Sequence, residues 1–289
     1  MRGSFGVSVA LTTPFSESGE ILPAPLAVHA KSVLEAGASS VTLYGTTGEG
    51  ASIGAEEREI GLAALLSTQC PAQKIILGVC ANALADAQTQ IAEGLTHGVT
   101  RFLVPPPFFF TGTHDQAIFD WYAALLARTD REAQVILYHI PQLTQVSLSP
   151  DLVARLAEHA PDRVIAVKDS SGDWESARAL IETQGLPVLV GDERLLHRAV
   201  SLGGAGSICG VANLYPERLV RVVQTAAEDP WISRLVDRVV SVPVIPGLKA
   251  LMAERTGNPV WERPRLPLSP LSPEDRAKLF SEQASVVHG

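Results

Sequence analysis

The sequence predicts an α/β chain built as a closed (β/α)8 barrel with a small helical extension at its C-terminal end. Three observations carry the prediction. Eight short apolar runs recur along the chain, rich in Val and Ile and apolar on both alternations. Strands covered on both faces have that pattern. Segments of helical spacing separate the runs, so strands and helices alternate as they do around a parallel sheet. No linker composition interrupts the series, and 289 residues suit one large barrel.

The elements follow in order. "GVSVAL" (6–11) is the first strand. "PLAVHAKSVLEAG" is a helix with Pro25 near its first position and Gly37 just past its end. "SVTLYG" (40–45), "KIILGV" (74–79) and "RFLVP" (101–105) are the next strands, and the helix "LADAQTQIAEGLTHG" stops at Gly98 before the last of them. "QVILYH" (134–139) precedes "SPDLVARLAEH", where Ser149 suits the N-cap and Pro150 the first helical position. "RVIAVK" (163–168), "PVLVG" (187–191) and "AGSICG" (205–210) complete the eight, the last entered from Gly203. Pro216 opens the helix "YPERLVRVVQTA". The rest holds more helical segments and the Pro-rich "ERPRLPLSPLSPED" (262–275). The expected boundaries are 1–224 for the barrel and 225–289 for the extension.

Composition narrows the function classes. The formal net charge is −8, with no basic stripe of the kind a nucleic-acid partner needs. Hydrophobic residues make up 46% of the chain, ample for a core, yet no stretch approaches a membrane span. "MRGSFGVSVALTTPF" lacks a long apolar segment and a cleavage signature, so a cytoplasmic protein is expected. Cys70, Cys80 and Cys209 are odd in number and far apart, which suggests neither a disulfide framework nor a zinc site. The seven histidines show no ligand spacing, and no metal is expected.

In such a barrel the site lies at the C-terminal ends of the strands. Lys168 ends the sixth strand, Tyr138 the fifth and Gly191 the seventh, while "GTTGEG" (45–50) follows the second. A lysine closing so apolar a run either reaches water or is held in a dry pocket for chemistry. "GTTGEG" reads as a plain turn, as a phosphate cradle, or as a loop whose backbone N–H groups hold a carboxylate with the hydroxyls of Thr46 and Thr47. Gly45 would let the chain turn close to a ligand. A lysine beside a carboxylate site and a tyrosine suits Schiff-base chemistry on a 2-oxo acid, with Tyr138 and a threonine relaying protons.

"GTTGEG", "LYHIP", "VKDSSGD", "VGDE" and "GLKALMAERTGNP…RLPLSPLS", in that order, resemble the dihydrodipicolinate synthase / N-acetylneuraminate lyase family. The resemblance spans nearly the whole chain. It implies a TIM barrel with a C-terminal helical extension, a homo-oligomer (tetramer or dimer), pyruvate as substrate, and no cofactor beyond the covalent Schiff base. It implies Lys168 as the Schiff-base lysine, Tyr138 as the proton shuttle, and Thr46 and Thr47 as carboxylate binders within the relay. Gly45, Gly191 and Ile208 match backbone or pocket-wall positions.

Two departures from the family pattern bear on substrate. Leu143 stands where dihydrodipicolinate synthases have an arginine that clamps the aldehyde's carboxylate, and leucine cannot pair with a carboxylate. Phe109 or Phe110 stands where the family often has a relay tyrosine that crosses into the neighbouring subunit, so both are candidates for a pocket or subunit contact. The first expectation is a pyruvate-dependent aldolase acting on a 2-oxo-3-deoxy sugar acid or a 4-hydroxy-2-oxo acid. A dehydratase of a 2-oxo-3-deoxy sugar acid, a condensing synthase, and a non-catalytic 2-oxo-acid-binding barrel are the alternatives.

Overall fold

Eight parallel strands close on one another in chain order in the computed structural model, which describes residues 5–68, 70–183 and 185–281. They are β1 (Gly6–Ala10), β2 (Ser40–Leu43), β3 (Ile75–Gly78), β4 (Arg101–Val104), β5 (Gln134–His139), β6 (Val164–Asp169), β7 (Val188–Val190) and β8 (Gly206–Cys209). β1 pairs with β2 on one side and with β8 on the other, which leaves no free edge. The expected eight-strand barrel is the fold observed.

The helices are α1 (Pro23–Glu35), α2 (Ala55–Ser67), α3 (Leu84–Thr96), α4 (Asp115–Arg128), α5 (Pro141–Thr144) and α6 (Pro150–His159) in the first part of the chain. α7 (Trp174–Glu182), α8 (Leu196–Ser201), α9 (Pro216–Thr225), α10 (Pro230–Val240), α11 (Val244–Thr256) and α12 (Pro273–Phe280) follow. α1 begins two residues before the expected start. Pro23 rather than Pro25 takes the opening position, and both fit because first-turn N–H groups have no partner inside the helix. Ser149 caps α6 as expected, its Oγ accepting from the Leu152 N–H. Among the described residues, no helix is long and apolar enough to cross a membrane.

Strand alternation splits the apolar residues into two cores. Ala10, Ile76, Leu103, Ile136, Ala166, Leu189 and Ile208 form an inner cluster that fills the barrel. Val9, Leu43, Leu77, Phe102, Leu137 and Val167 face outward and pack with the helices. Each such side chain, fully buried, contributes on the order of 1.5–3 kcal/mol.

One irregularity in this alternation positions the site. Val135 of β5 pairs with Val164 of β6, but the next residue, Ile136, pairs with Ala166. Ile165 is therefore an extra residue in the ladder, a β-bulge. Val164 belongs to the outer core, Ala166 to the inner one, and Val167 to the outer one again. The bulge thus reverses the facing of the strand that follows it. Lys168, two residues after Ala166, points into the barrel; a regular strand from Val164 onward would turn it toward the helices.

Candidate active site

A cavity of about 530 Å³ opens where the strands end. Lys168 lies on its floor, 5% exposed, paired across the ladder with Tyr138. Its Nζ sits 4.2 Å from the centre of the Tyr138 ring, a cation–π distance. The Tyr138 Oη is 3.0 Å from Thr46 Oγ1. Lysine, phenol and threonine hydroxyl thus form a continuous row, and Thr47 stands beside it on the cavity wall.

The loop that carries the threonines is strained and tightly held. Tyr44 and Glu49, neither of them glycine, adopt φ values of 59° and 58°. Such conformations cost on the order of 1–3 kcal/mol each and persist only where the surroundings enforce them. The Gly50 N–H donates to the Gly45 carbonyl, the Glu49 N–H to the Thr46 carbonyl, and the Thr13 hydroxyl to the Gly48 carbonyl. The Glu49 carboxylate, 1% exposed, meets Lys249 Nζ of α11 at 2.6 Å. It also accepts from the Arg265 N–H. Lys249, fully buried, donates to the carbonyls of Thr13 and Arg263 and lies over the Phe15 ring. Burial pushes its pKa down to about 8. Arg265 forks onto both oxygens of Glu57 at 2.6 Å. The Pro-rich segment therefore locks the threonine loop from behind.

The β6 and β7 ends shape the opposite wall. The Asp169 carboxylate accepts from the Ser171 N–H, and the Ser170 N–H donates to the His139 carbonyl. Gln142 Nε2 donates to the Ser170 carbonyl at 2.6 Å. Gly191 donates its N–H to the Asp169 carbonyl, and a Cβ there would overlap the Ser170 side chain, so only glycine fits. His139 and Asp169 sit side by side behind the cavity. Burial lowers the imidazole's pKa and raises the carboxyl's, and His139 Nδ1 accepts from the Leu148 N–H, which places the neutral ring's proton on Nε2. Glu193 is buried at the cavity edge, its Oε1 accepting from the Val211 N–H at 2.7 Å. Burial pushes its pKa up to about 7. Arg194 is chelated by Asp192 and also bound to Asp237.

Of the residues singled out from sequence, the structure brings Lys168, Tyr138, Thr46, Thr47, Leu143, Gly191 and Ile208 to one cavity. β5 ends at His139 with the expected run, and β6 goes one residue beyond its expected end, to Asp169. Gly45 does not line the cavity. It is buried beneath the loop, and the left-handed turn falls on Tyr44 before it. Glycine is needed instead at Gly50, where a Cβ would collide with the Tyr44 carbonyl. Phe109 and Phe110 do not line the cavity either. They stack edge to face at the tip of the β4–α4 loop, 80% and 66% exposed. The loop leaves the barrel mouth there, anchored by the Phe108 N–H on Asn82 Oδ1.

Asp192, Glu193 and Ser170 were not singled out, although "VGDE" contains two of them. The apolar wall that α10 and α11 lend the cavity, including Val236, Val239, Val244 and Pro246, was also missed. It follows the barrel in sequence, and no local pattern says that it folds back over the mouth. Among the described residues no cluster of His, Cys, Asp or Glu is arranged to hold a metal ion.

Fold and cavity together define a (β/α)8 barrel with its site at the strand ends. Comparison with known proteins goes one step further. The model of the dihydrodipicolinate synthetase family matches residues 4–284, and the chain belongs to that family. It is 31% identical to a DapA-like lyase of Chloroflexus aurantiacus over 98% of this chain and 97% of the other. It is 28% identical to a 4-hydroxy-tetrahydrodipicolinate synthase of Methanothrix thermoacetophila over 95% of this chain and 94% of the relative. The crystal structure of a dihydrodipicolinate synthase from Agrobacterium tumefaciens superposes with a TM-score of 0.94, at 38% identity, covering 98% of this chain and 99% of that one.

Proposed function

We propose that this chain is a class I lyase that joins or splits pyruvate and an aldehyde through a Schiff base on Lys168. One observation carries the proposal: the inward-facing, buried lysine in contact with the Tyr138 ring. The relatives named as a lyase and a synthase support carbon–carbon chemistry in either direction.

The residues divide the work as follows. Thr46 and Thr47 hold the pyruvate carboxylate at the loop. The neutral amine of Lys168 adds to C2, and the carbonyl oxygen takes up protons and leaves as water, which gives an iminium. Loss of a C3 proton gives the enamine. Its C3 bonds to the aldehyde carbon, whose oxygen takes a proton through the Tyr138–Thr46 row. Water then hydrolyses the iminium, releasing a 4-hydroxy-2-oxo acid and restoring the amine. In the cleavage direction Tyr138 accepts the C4-hydroxyl proton as the C3–C4 bond breaks.

Borohydride trapping with pyruvate tests the proposal. We expect a reduced adduct on Lys168, absent in Lys168→Ala and still formed after dialysis against EDTA. Folded protein that yields no adduct refutes the mechanism. We further propose a homo-oligomer in solution, supported by the exposed apolar pair Phe109 and Phe110.

A further inference from the structure

We infer that the aldehyde half of the substrate is uncharged and carries an alkyl or aryl body, rather than a carboxylate or a chain of hydroxyls. The inference rests on the Schiff-base proposal above.

The charges of the cavity argue first. Among the described residues that line it, Lys168 and Arg194 are the cationic side chains. Lys168 is committed to the imine. Three of the five N–H donors of Arg194 are taken: its Nε and one terminal nitrogen bind the two oxygens of Asp192, and the other terminal nitrogen binds Asp237 at 2.8 Å. A second carboxylate would compete with Asp192 and Asp237 for this already paired guanidinium and would meet the carboxyls of Asp192 and Glu193 on the same wall.

The polar groups argue next. Gln142 gives one amide N–H to the Ser170 carbonyl, Asp192 is held by Arg194, and Glu193 accepts from the Val211 N–H. Ser171 Oγ accepts from the Asp173 N–H. A hydroxylated chain would have to compete with these internal bonds for its partners, and a buried hydroxyl without a partner is costly.

The apolar surface argues last. Leu143 of α5, Val240 of α10 and Val244 of α11 are 61%, 47% and 44% exposed, and all three line this one mouth. Val236, Val239, Ile245 and Pro246 continue the strip inward. Three elements thus hold aliphatic side chains in water along one path that ends at Lys168. An apolar body laid on that path covers them when the aldehyde carbon reaches the enamine.

The test uses the full chain and three probe aldehydes with pyruvate: benzaldehyde, glyceraldehyde and succinic semialdehyde. Product is read by mass spectrometry, and borohydride trapping is run in parallel. We expect kcat/KM for benzaldehyde to exceed that for each of the others by at least about tenfold, the scale on which apolar pockets discriminate. Val244→Asp should lower the benzaldehyde value by a similar factor, and Leu143→Arg should raise the succinic semialdehyde value. Equal or faster turnover of glyceraldehyde or succinic semialdehyde by the unaltered protein overturns the inference. So does trapping of pyruvate without turnover of benzaldehyde. In both cases the adduct leaves the Schiff-base proposal standing. Absence of the adduct overturns both together.

Discussion

Lys249→Met probes the lock behind the threonine loop. The substitution keeps the apolar stem of the side chain and removes the charge. It deletes an ion pair of 2.6 Å between groups that are 0% and 1% exposed. It also strips a donor from the carbonyls of Thr13 and Arg263. Glu49 is left as a buried carboxylate with the Arg265 N–H as its remaining hydrogen-bond donor. Removing one partner of a buried pair costs about 3–5 kcal/mol, chiefly because the other charge is stranded. At roughly 2 °C per kcal/mol for a chain of this length, Tm should fall by about 6–10 °C. Calorimetry at pH 6.5 keeps the amine charged in the folded state, because burial places its pKa at about 8. Lys249→Met/Glu49→Gln removes the stranded charge and should recover at least about 1 kcal/mol relative to the sum of the single losses. Because the loop also carries Thr46 and Thr47, the single variant should raise KM for pyruvate more than it lowers kcat. A single variant within about 1 kcal/mol of the parent, or strictly additive losses in the double variant, would refute the reasoning.

Tyr138→Phe keeps the ring beside Lys168 and removes the hydroxyl that meets Thr46; kcat should fall about 10²–10⁴-fold in steady-state assays, with borohydride trapping slower but still directed to Lys168. Glu193→Gln tests the buried acid. Its folded pKa of about 7 lies above the ordinary 4.5, so its contribution to stability is fully present below pH 4.5 and is lost as pH rises through 7. The glutamine keeps an acceptor for the Val211 N–H without titrating. Its stability relative to the parent should therefore climb by about 1–3 kcal/mol between pH 4.5 and 7.5 in urea titrations, and a flat difference would count against a buried, protonated Glu193.

All eight strands were legible in the sequence because both faces of each are buried, and that leaves unbroken Val- and Ile-rich runs. Lys168 and Tyr138 stood out because polar groups at the ends of such runs face the barrel mouth. The same apolar monotony hid the facing of each strand. "RVIAVK" is apolar on both alternations, so nothing in it says which way Lys168 points, and the pairing with β5 decides. Glycine is the usual residue for a left-handed turn, so a turn carried by the buried Tyr44 ahead of Gly45 is not announced by the sequence. Phe109 and Phe110 were placed by analogy with a relay position, and the path of the loop that carries them is not a local property of the chain. The α10–α11 wall and the Glu49–Lys249 pair join segments some 200 residues apart, and no periodicity reaches that far.

The bulge at Ile165 makes phase, as much as identity, a carrier of chemistry in this barrel. A strand has two settings, and one supernumerary residue switches between them. Pairing Ile165 into the ladder opposite Ile136, in place of the bulge, would leave every side chain of "VKDSSGD" in the sequence and would leave the strand apolar. It would also turn the lysine out among the helices and bring Val167 to the cavity floor. Two barrels could then share the same residues at β6 and differ as completely as an enzyme and its empty scaffold. An alignment of sequences does not register such a slip at all. For this strand, that slip would count for more than any substitution around it.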